Sequence, residues 1–316
     1  MFFYKKRNIH GLLLLDKPKG ISSNNALQKV KTIFHAKKAG YVGTLDPLAT
    51  GMLPICFGES TKFSHYLMQS NKRYHVIAKL GEKTSTFDSD GIVVQKRPIL
   101  FNSVQLKLSI NEFIGVINQI PSMYSAIKYK GLPLYKYARQ GLNIERKIRK
   151  IIIYNIYSIY QKKNIIEFKI LCSKGTYIRT LVDDLGEKLG CGAHVIFLRR
   201  LQVSSYLHDQ LITLSSLYKI LNANYINKIN FFKKIDKLLM PIDSPVSFLP
   251  QIHLANQQSY NFLLGQIISL NYNIKNGLVR VLDEEKKFLG LGEIKKETLL
   301  IPYRLVSTYA NSVIHY

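Results

Sequence analysis

Two β-rich runs, Ile148 to Tyr160 and Asn164 to Cys172, are separated only by the polar Gln161-Lys162-Lys163, and no other stretch constrains the fold as tightly. Branched and aromatic residues suit a pleated surface, and a three-residue polar break between two such runs predicts a hairpin. Further strands are predicted at Ile9 to Leu15, closed by the turn Asp16-Lys17-Pro18-Lys19-Gly20, at Tyr74 to Leu80, and at Val195 to Tyr206. Tyr74, Val76, Ala78 and Leu80 alternate with His75, Ile77 and Lys79, which is the period of a strand. Helices are expected where Leu27, Val30, Ile33 and Phe34 recur behind a Ser22 or Ser23 cap, near Ser60 to Leu67, and at Val104 to Ile114. Another is expected from Thr176 to Leu189, with Thr176 as cap and Gly190 as stop. Gly40 to Gly51 reads as a loop. Strands and helices do not alternate as βαβ units require, so the expected class is α+β around a mixed or antiparallel sheet.

A chain of 316 residues, 47% hydrophobic, can bury one large core and a small one. A Lys-, Asn- and Ile-rich stretch from Leu211 to Met240, read as helical, connects them. After Pro250 the pattern turns to short β-runs, Leu278 to Leu282 and Phe288 to Ile294, around the turn Asp283 to Lys287. The expected domains are residues 1–245 and a β-rich unit of residues 246–316. No apolar stretch approaches the roughly 20 residues that span a bilayer. Met1 to Arg7 carries charge without an apolar signal core, so a cytoplasmic protein with no membrane association is expected. Cys56, Cys172 and Cys191 form no paired motif and read as buried thiols. The histidines lack ligand spacing, and neither metal nor cofactor is expected.

Charge narrows the partner. Lys and Arg number 45 against 20 acidic residues, a formal +25, which favours a polyanion and hence nucleic acid. Lys outnumbers Arg, and Ile and Asn are abundant, so part of the excess reflects A+T-rich codon drift. Position then decides. Residues 245–316 hold 7 basic and 5 acidic side chains, leaving +23 on residues 1–244, which marks the larger segment as the polyanion binder.

The segment richest in chemistry is Gly43-Thr44-Leu45-Asp46-Pro47-Leu48-Ala49-Thr50-Gly51, one carboxylate between glycines in a chain short of acids. Pro47 fixes the backbone after the acid and disfavours helix at Asp46, so a rigid loop would aim the side chain. Taken alone, an Asp-Pro dipeptide is more often a surface turn. Asp88-Ser89-Asp90-Gly91 lacks the later bidentate Glu of a calcium loop and reads as a turn. Asp183 and Asp184 diverge by about 100° on a helix and are expected to serve its surface.

In sequence order, Asp16 to Ser23 (DKPKGISS), Lys38-Ala39-Gly40 with Gly43 to Gly51, Arg73 to Gly91 (RYHVIAKLGEKTSTFDSDG), Pro121 to Gly141 (PSMYSAIKYKGLPLYKYARQG) and Cys172 to Arg200 (CSKGTYIRTLVDDLGEKLGCGAHVIFLRR) resemble the motifs of TruB-type pseudouridine synthases. Together they span nearly all of residues 9–206. The resemblance implies a pseudouridine-synthase catalytic domain and, more weakly through Val279 to Ile294, a small PUA-like RNA-binding domain at the end. It implies isomerisation of the T-loop uridine at position 55 of tRNA, with Asp46 catalytic. Arg179 is the expected cationic partner of that carboxylate, and Tyr74 the ring stacked on the extruded uracil. Tyr177 and Leu198 match positions that line the nucleotide site. Where the family usually has His, two residues before Gly43, this chain has Tyr41, expected to act as an aromatic wedge in the space the base vacates. Such an enzyme would bind the T-stem-loop of tRNA as a monomer with no obligate protein partner. A guide-RNA-dependent synthase is disfavoured by the lack of obvious docking extensions. A tRNA-folding chaperone with dispensable catalysis is the competing class.

Overall fold

The computed structural model describes residues 6–223 and 228–307. Residues 1–5 of the charged amino-terminal stretch and 224–227 of the expected linker lie outside these. The predicted hairpin is present: Arg149–Lys162 and Ile165–Cys172 pair antiparallel, with Ile156 opposite Ile170 and Lys162 opposite Ile165. It belongs to a nine-stranded sheet ordered Ile212–Thr213, Gly11–Lys17, Thr50–Phe57, Ala193–Val203, Lys72–Leu80, Ile165–Cys172, Arg149–Lys162, Gly115–Gln119, with Ala39–Tyr41 paired to Thr50–Phe57. Two pairings are parallel and the others antiparallel, so the sheet is mixed.

Thr50–Phe57 is the strand that the pattern hides. Gly51 and Pro54 interrupt its sequence, and a proline normally demotes a run from a sheet interior because it cannot donate to the ladder. Here Pro54 falls where the strand changes neighbours. Thr50 and Gly51 pair with Arg199 and Arg200 on one side, and Ile55 to Phe57 pair with Ala39 to Tyr41 beyond it. The missing N–H therefore leaves no bond unmade, while the Pro54 carbonyl accepts from Val42 N at 2.9 Å.

One face of the sheet carries the main core. Leu13, Leu53, Ile55, Val76, Ala78, Ile166, Phe168 and Ile170 meet the helix Ser23–Ile33 through Ala26, Leu27 and Val30, and the helix Ile178–Lys188 through Leu181, Val182 and Leu185. Ser22 caps the first helix by accepting from Asn25 N at 3.1 Å. The second differs from expectation at its start: Tyr177 is its cap residue, and the Thr176 hydroxyl instead donates to Ser173 O at 3.0 Å. Residues 211–240 do more than connect. Their helices, Leu214–Ala223 and Lys228–Asp236, place Leu214, Leu217, Phe231 and Ile235 in the main core.

A second sheet, ordered Gln251–His253, Gly277–Leu282, Phe288–Lys295, Leu299–Leu305, Ile268–Ser269, encloses its own core of Ile252, Phe262, Val279, Val281 and Leu300. A small apolar joint fastens it to the large sheet's domain. Phe63 packs edge-on against Phe288 at 5.4 Å between ring centres, with Val246, Leu291 and Val306 around them. Lys62 Nζ donates to Leu305 O at 2.9 Å, and Arg280 pairs with Asp243 at 2.9 Å across the same region. Phe63 is fully buried, so Phe63→Ala should cost about 3–5 kcal/mol. Urea unfolding should register this as a lower first midpoint, and an unchanged midpoint would mean that the joint carries no stability.

Candidate active site

The loop that carries Asp46 is held from three directions. Ser23, buried at the start of its helix, donates its hydroxyl to Leu45 O at 2.9 Å and accepts from Leu45 N at 2.8 Å. Lys17, fully buried, donates to Ile21 O at 2.7 Å and Pro47 O at 3.4 Å, and Gly20 N donates to Pro47 O at 2.8 Å. Arg200 reaches the loop from below: Nη2 donates to Gly43 O at 2.9 Å and Nε to Met52 O at 2.7 Å. The flanking glycines are required by this close approach. Gly43 has φ +70° and a Cβ there would stand 3.0 Å from Arg200 Nη1; Gly51 has φ +96° and its Cβ would stand 2.3 Å from Arg200 O. Only glycine adopts those angles without strain and leaves that space.

Arg179, one residue inside its helix and only 5% exposed, joins this loop to two other segments. Its Nε lies 2.9 Å from Asp46 Oδ2, and its Nη1 lies 3.1 Å from Asp88 Oδ2. Nη1 also donates to Thr86 O at 2.9 Å, and Nη2 to Tyr124 O at 2.7 Å. The planar guanidinium fork can meet four acceptors at once, which an ammonium cannot do in this geometry. Asp88 was expected only as part of a turn. The turn is there, with Asp90 N donating to Asp88 Oδ1 at 3.1 Å, but the carboxylate is buried and serves Arg179. Its signal in the sequence was its place within the Arg73 to Gly91 block. Asp183 is likewise buried rather than on the helix surface, 3.1 Å from Lys83 Nζ, and burial together with Asp183 pushes Asp184 up to about 6.

Asp46 opens into a cleft of about 600 Å³ whose walls include Tyr74, Tyr177, Arg179, Leu198 and Arg200. Desolvation raises its pKa above the ordinary carboxylate range, while the Arg179 charge opposes the rise and Asp88 adds to it. Protein surrounds the carboxylate closely, yet 36% of its side-chain surface still meets water, which limits the rise. Tyr74 stands on the strand Lys72–Leu80, and burial pushes its phenol up against the pull of Arg200. Tyr177 is locked by Gln119, whose Oε1 accepts from Tyr177 N at 2.8 Å and whose Nε2 donates to Tyr177 O at 3.0 Å. Lys17 and Lys72 are both lowered to about 8, chiefly by burial.

Five of the six residues picked out by sequence thus meet in one cleft: Asp46, Tyr74, Tyr177, Arg179 and Leu198. Tyr41 does not line it. It lies in the strand Ala39–Tyr41 opposite Ile55, and that register turns the ring onto the main core. Asp88, Lys17, Arg200 and Gln119 were missed as parts of the site, because their roles depend on contacts across the fold.

The same architecture is found in an H/ACA RNP bound to a substrate RNA containing 2'-deoxyuridine, at a TM-score of 0.67 and 23% identity over 94% of this chain and 84% of the other. A Cbf5-Nop10-Gar1 complex aligns at 0.68 and 23%, covering 94% and 84%. The fold is that of the pseudouridine synthases, with a mixed-sheet catalytic domain and a small PUA-like domain. Residues 31–178 match the TruB family pseudouridylate synthase N-terminal domain, 179–247 the tRNA pseudouridylate synthase B C-terminal domain, and 250–306 the Pseudouridine synthase II TruB C-terminal domain. The tRNA pseudouridine synthase B of Buchnera aphidicola subsp. Acyrthosiphon pisum (strain APS) is 71% identical over 98% of this chain and 100% of its own. That of Enterobacter sp. (strain 638) is 52% identical over 96% and 97%. The chain belongs to the TruB family of pseudouridine synthases.

Arg179→Lys keeps a charge but cannot hold Asp46, Asp88 and two carbonyls together. A catalytic role for ionised Asp46 predicts activity that rises as pH increases through its pKa, which already lies above the usual carboxylate value. Weakening the opposing cation should move that acid limb to still higher pH. A rate–pH profile checks this, and a limb unchanged or shifted downward would remove Arg179 as the group that keeps Asp46 charged.

Proposed function

We propose that this enzyme isomerises the uridine at position 55 in the tRNA T-loop, acting as a monomer without a guide RNA. The observation that carries the reading is the Asp46 carboxylate, ion-paired at 2.9 Å with Arg179, opening into the cleft that Tyr74 lines. The reaction breaks the N1–C1′ bond, turns the uracil and joins C5 to C1′. A carboxylate can attack C6 of the ring or C1′ of the sugar, or stabilise the departing glycosyl centre. Asp46 is the only acid on the cleft wall among the described residues. A base within a folded RNA loop must be extruded to reach it, and an aromatic face compensates lost stacking. A phenol that burial keeps neutral offers Tyr74 first as a stacking surface, and it would accept the C5 proton only after ionising. The position within tRNA rests on the motif resemblance.

Purified protein incubated with unmodified tRNA, followed by single-nucleotide pseudouridine mapping, tests the position directly. Asp46→Asn should abolish product while tRNA affinity stays within about a few-fold, because affinity comes mainly from phosphate contacts. Turnover by a variant free of deamidation would remove Asp46 from its role.

Tyr74→Phe retains the stacking face, whereas Tyr74→Leu loses a contribution on the order of 1–3 kcal/mol. With stacking as the main role, the Phe variant should turn over near the wild-type rate and the Leu variant should be defective. A Phe variant that binds tRNA but does not react would assign the essential part to the hydroxyl. Normal reaction by both would take Tyr74 out of the site.

A further inference from the structure

The chemistry above gives Arg200 no task, yet its placement is unusual. It is 1% exposed and still lines the cleft. Among the described residues, the ion pairs at the site involve Arg179 and Arg199, and none involves Arg200. Desolvating a guanidinium without a counter-ion is costly, and apolar packing could hold a loop at less expense. Its partners are backbone carbonyls at both ends of one loop: Met52 O at 2.7 Å, Gly43 O at 2.9 Å and Val42 O at 3.4 Å. Asp46 lies between those ends.

Sheet register adds a second connection. Arg200 is the cross-strand partner of Tyr74 on one side and of Gly51 on the other. Side chains directly opposite each other on one face of a sheet are neighbours. One rigid fork therefore touches the Asp46 loop at its start and end, and it stands beside the strand position that carries the aromatic ring.

We propose that Arg200 is a positioning residue for the isomerisation, holding the Asp46 loop and Tyr74 in one frame so that carboxylate and ring face the same base; this rests on the functional reading given above. Positioning of this kind acts on the reaction step once substrate is bound. A staple that served only the fold would instead lower stability, affinity and rate together.

Two variants separate these roles. Arg200→Lys keeps the charge and loses the fork; Arg200→Gln loses the charge and keeps part of the planar donor group. Each is assayed for unfolding midpoint, for tRNA affinity by filter binding, and for single-turnover pseudouridine formation at saturating enzyme. The expected result is a rate lowered about tenfold to 100-fold, the scale on which small misplacements act. Affinity should stay within about threefold, since phosphate contacts elsewhere supply it. The Lys variant should be impaired despite its charge. A Lys variant at the wild-type rate would overturn the proposal. So would losses of rate and affinity that track a lowered midpoint, or failure of both variants to fold, either of which assigns Arg200 to stability. Wild-type enzyme that leaves the same tRNA unmodified would sink the functional reading instead, independently of Arg200.

Discussion

The contact between Arg179 and Asp46 is the interaction on which the rest of the site depends. On the functional reading proposed above, a carboxylate at the floor of the cleft faces two opposed demands: it must be shielded enough to meet an extruded base, and charged enough to act on it. Desolvation pushes it towards its neutral form. A guanidinium at 2.9 Å pushes back. That guanidinium is itself buried, and a buried charge needs partners of its own, which Asp88, Thr86 O and Tyr124 O supply. Asp88 repels Asp46 through space while holding the cation that favours the ionised form of Asp46. The three groups form one electrostatic unit, and removing Arg179 would leave two neighbouring carboxylates without the cation they share.

Rigidity is the second half of the arrangement. The Asp46 loop has few contacts of its own along the chain, since Pro47 and the glycines exclude regular structure. Its shape comes from what surrounds it: the Ser23 hydroxyl at Leu45, the Lys17 ammonium at Pro47, the Arg200 fork at Val42, Gly43 and Met52. Each anchor stands on a strand or helix end that the main core fixes. Buried lysine is expensive, and the drop of Lys17 to about 8 records that cost.

The sequence by itself determined the elements whose signal is local. Alternation at Tyr74 to Leu80, the polar break in the Ile148 to Cys172 hairpin, a serine cap at Ser22 or Ser23 and the apolar face behind it are periods and end-signals that a short window contains. Motif resemblance supplied the identity of Asp46 and the choice of Arg179, and the Gly-Asp-Pro spacing explained why that acid should be held rigidly. Tertiary structure decided the rest. The Thr50–Phe57 strand was unreadable because Pro54 is tolerable only where two neighbouring strands change over. Asp88 looked like a turn residue because its partner Arg179 lies on another segment, 93 residues from the neighbouring Thr86. Arg200 reaches Gly43 across 157 residues, and no local pattern encodes such a contact. Tyr41 could be matched to a motif position, but which way its ring turns depends on register with Ile55. Periodicity reports which face of an element is apolar; it carries no information about which buried charge will find which partner, because that is settled only when the sheet closes and every desolvated polar group must be satisfied at once.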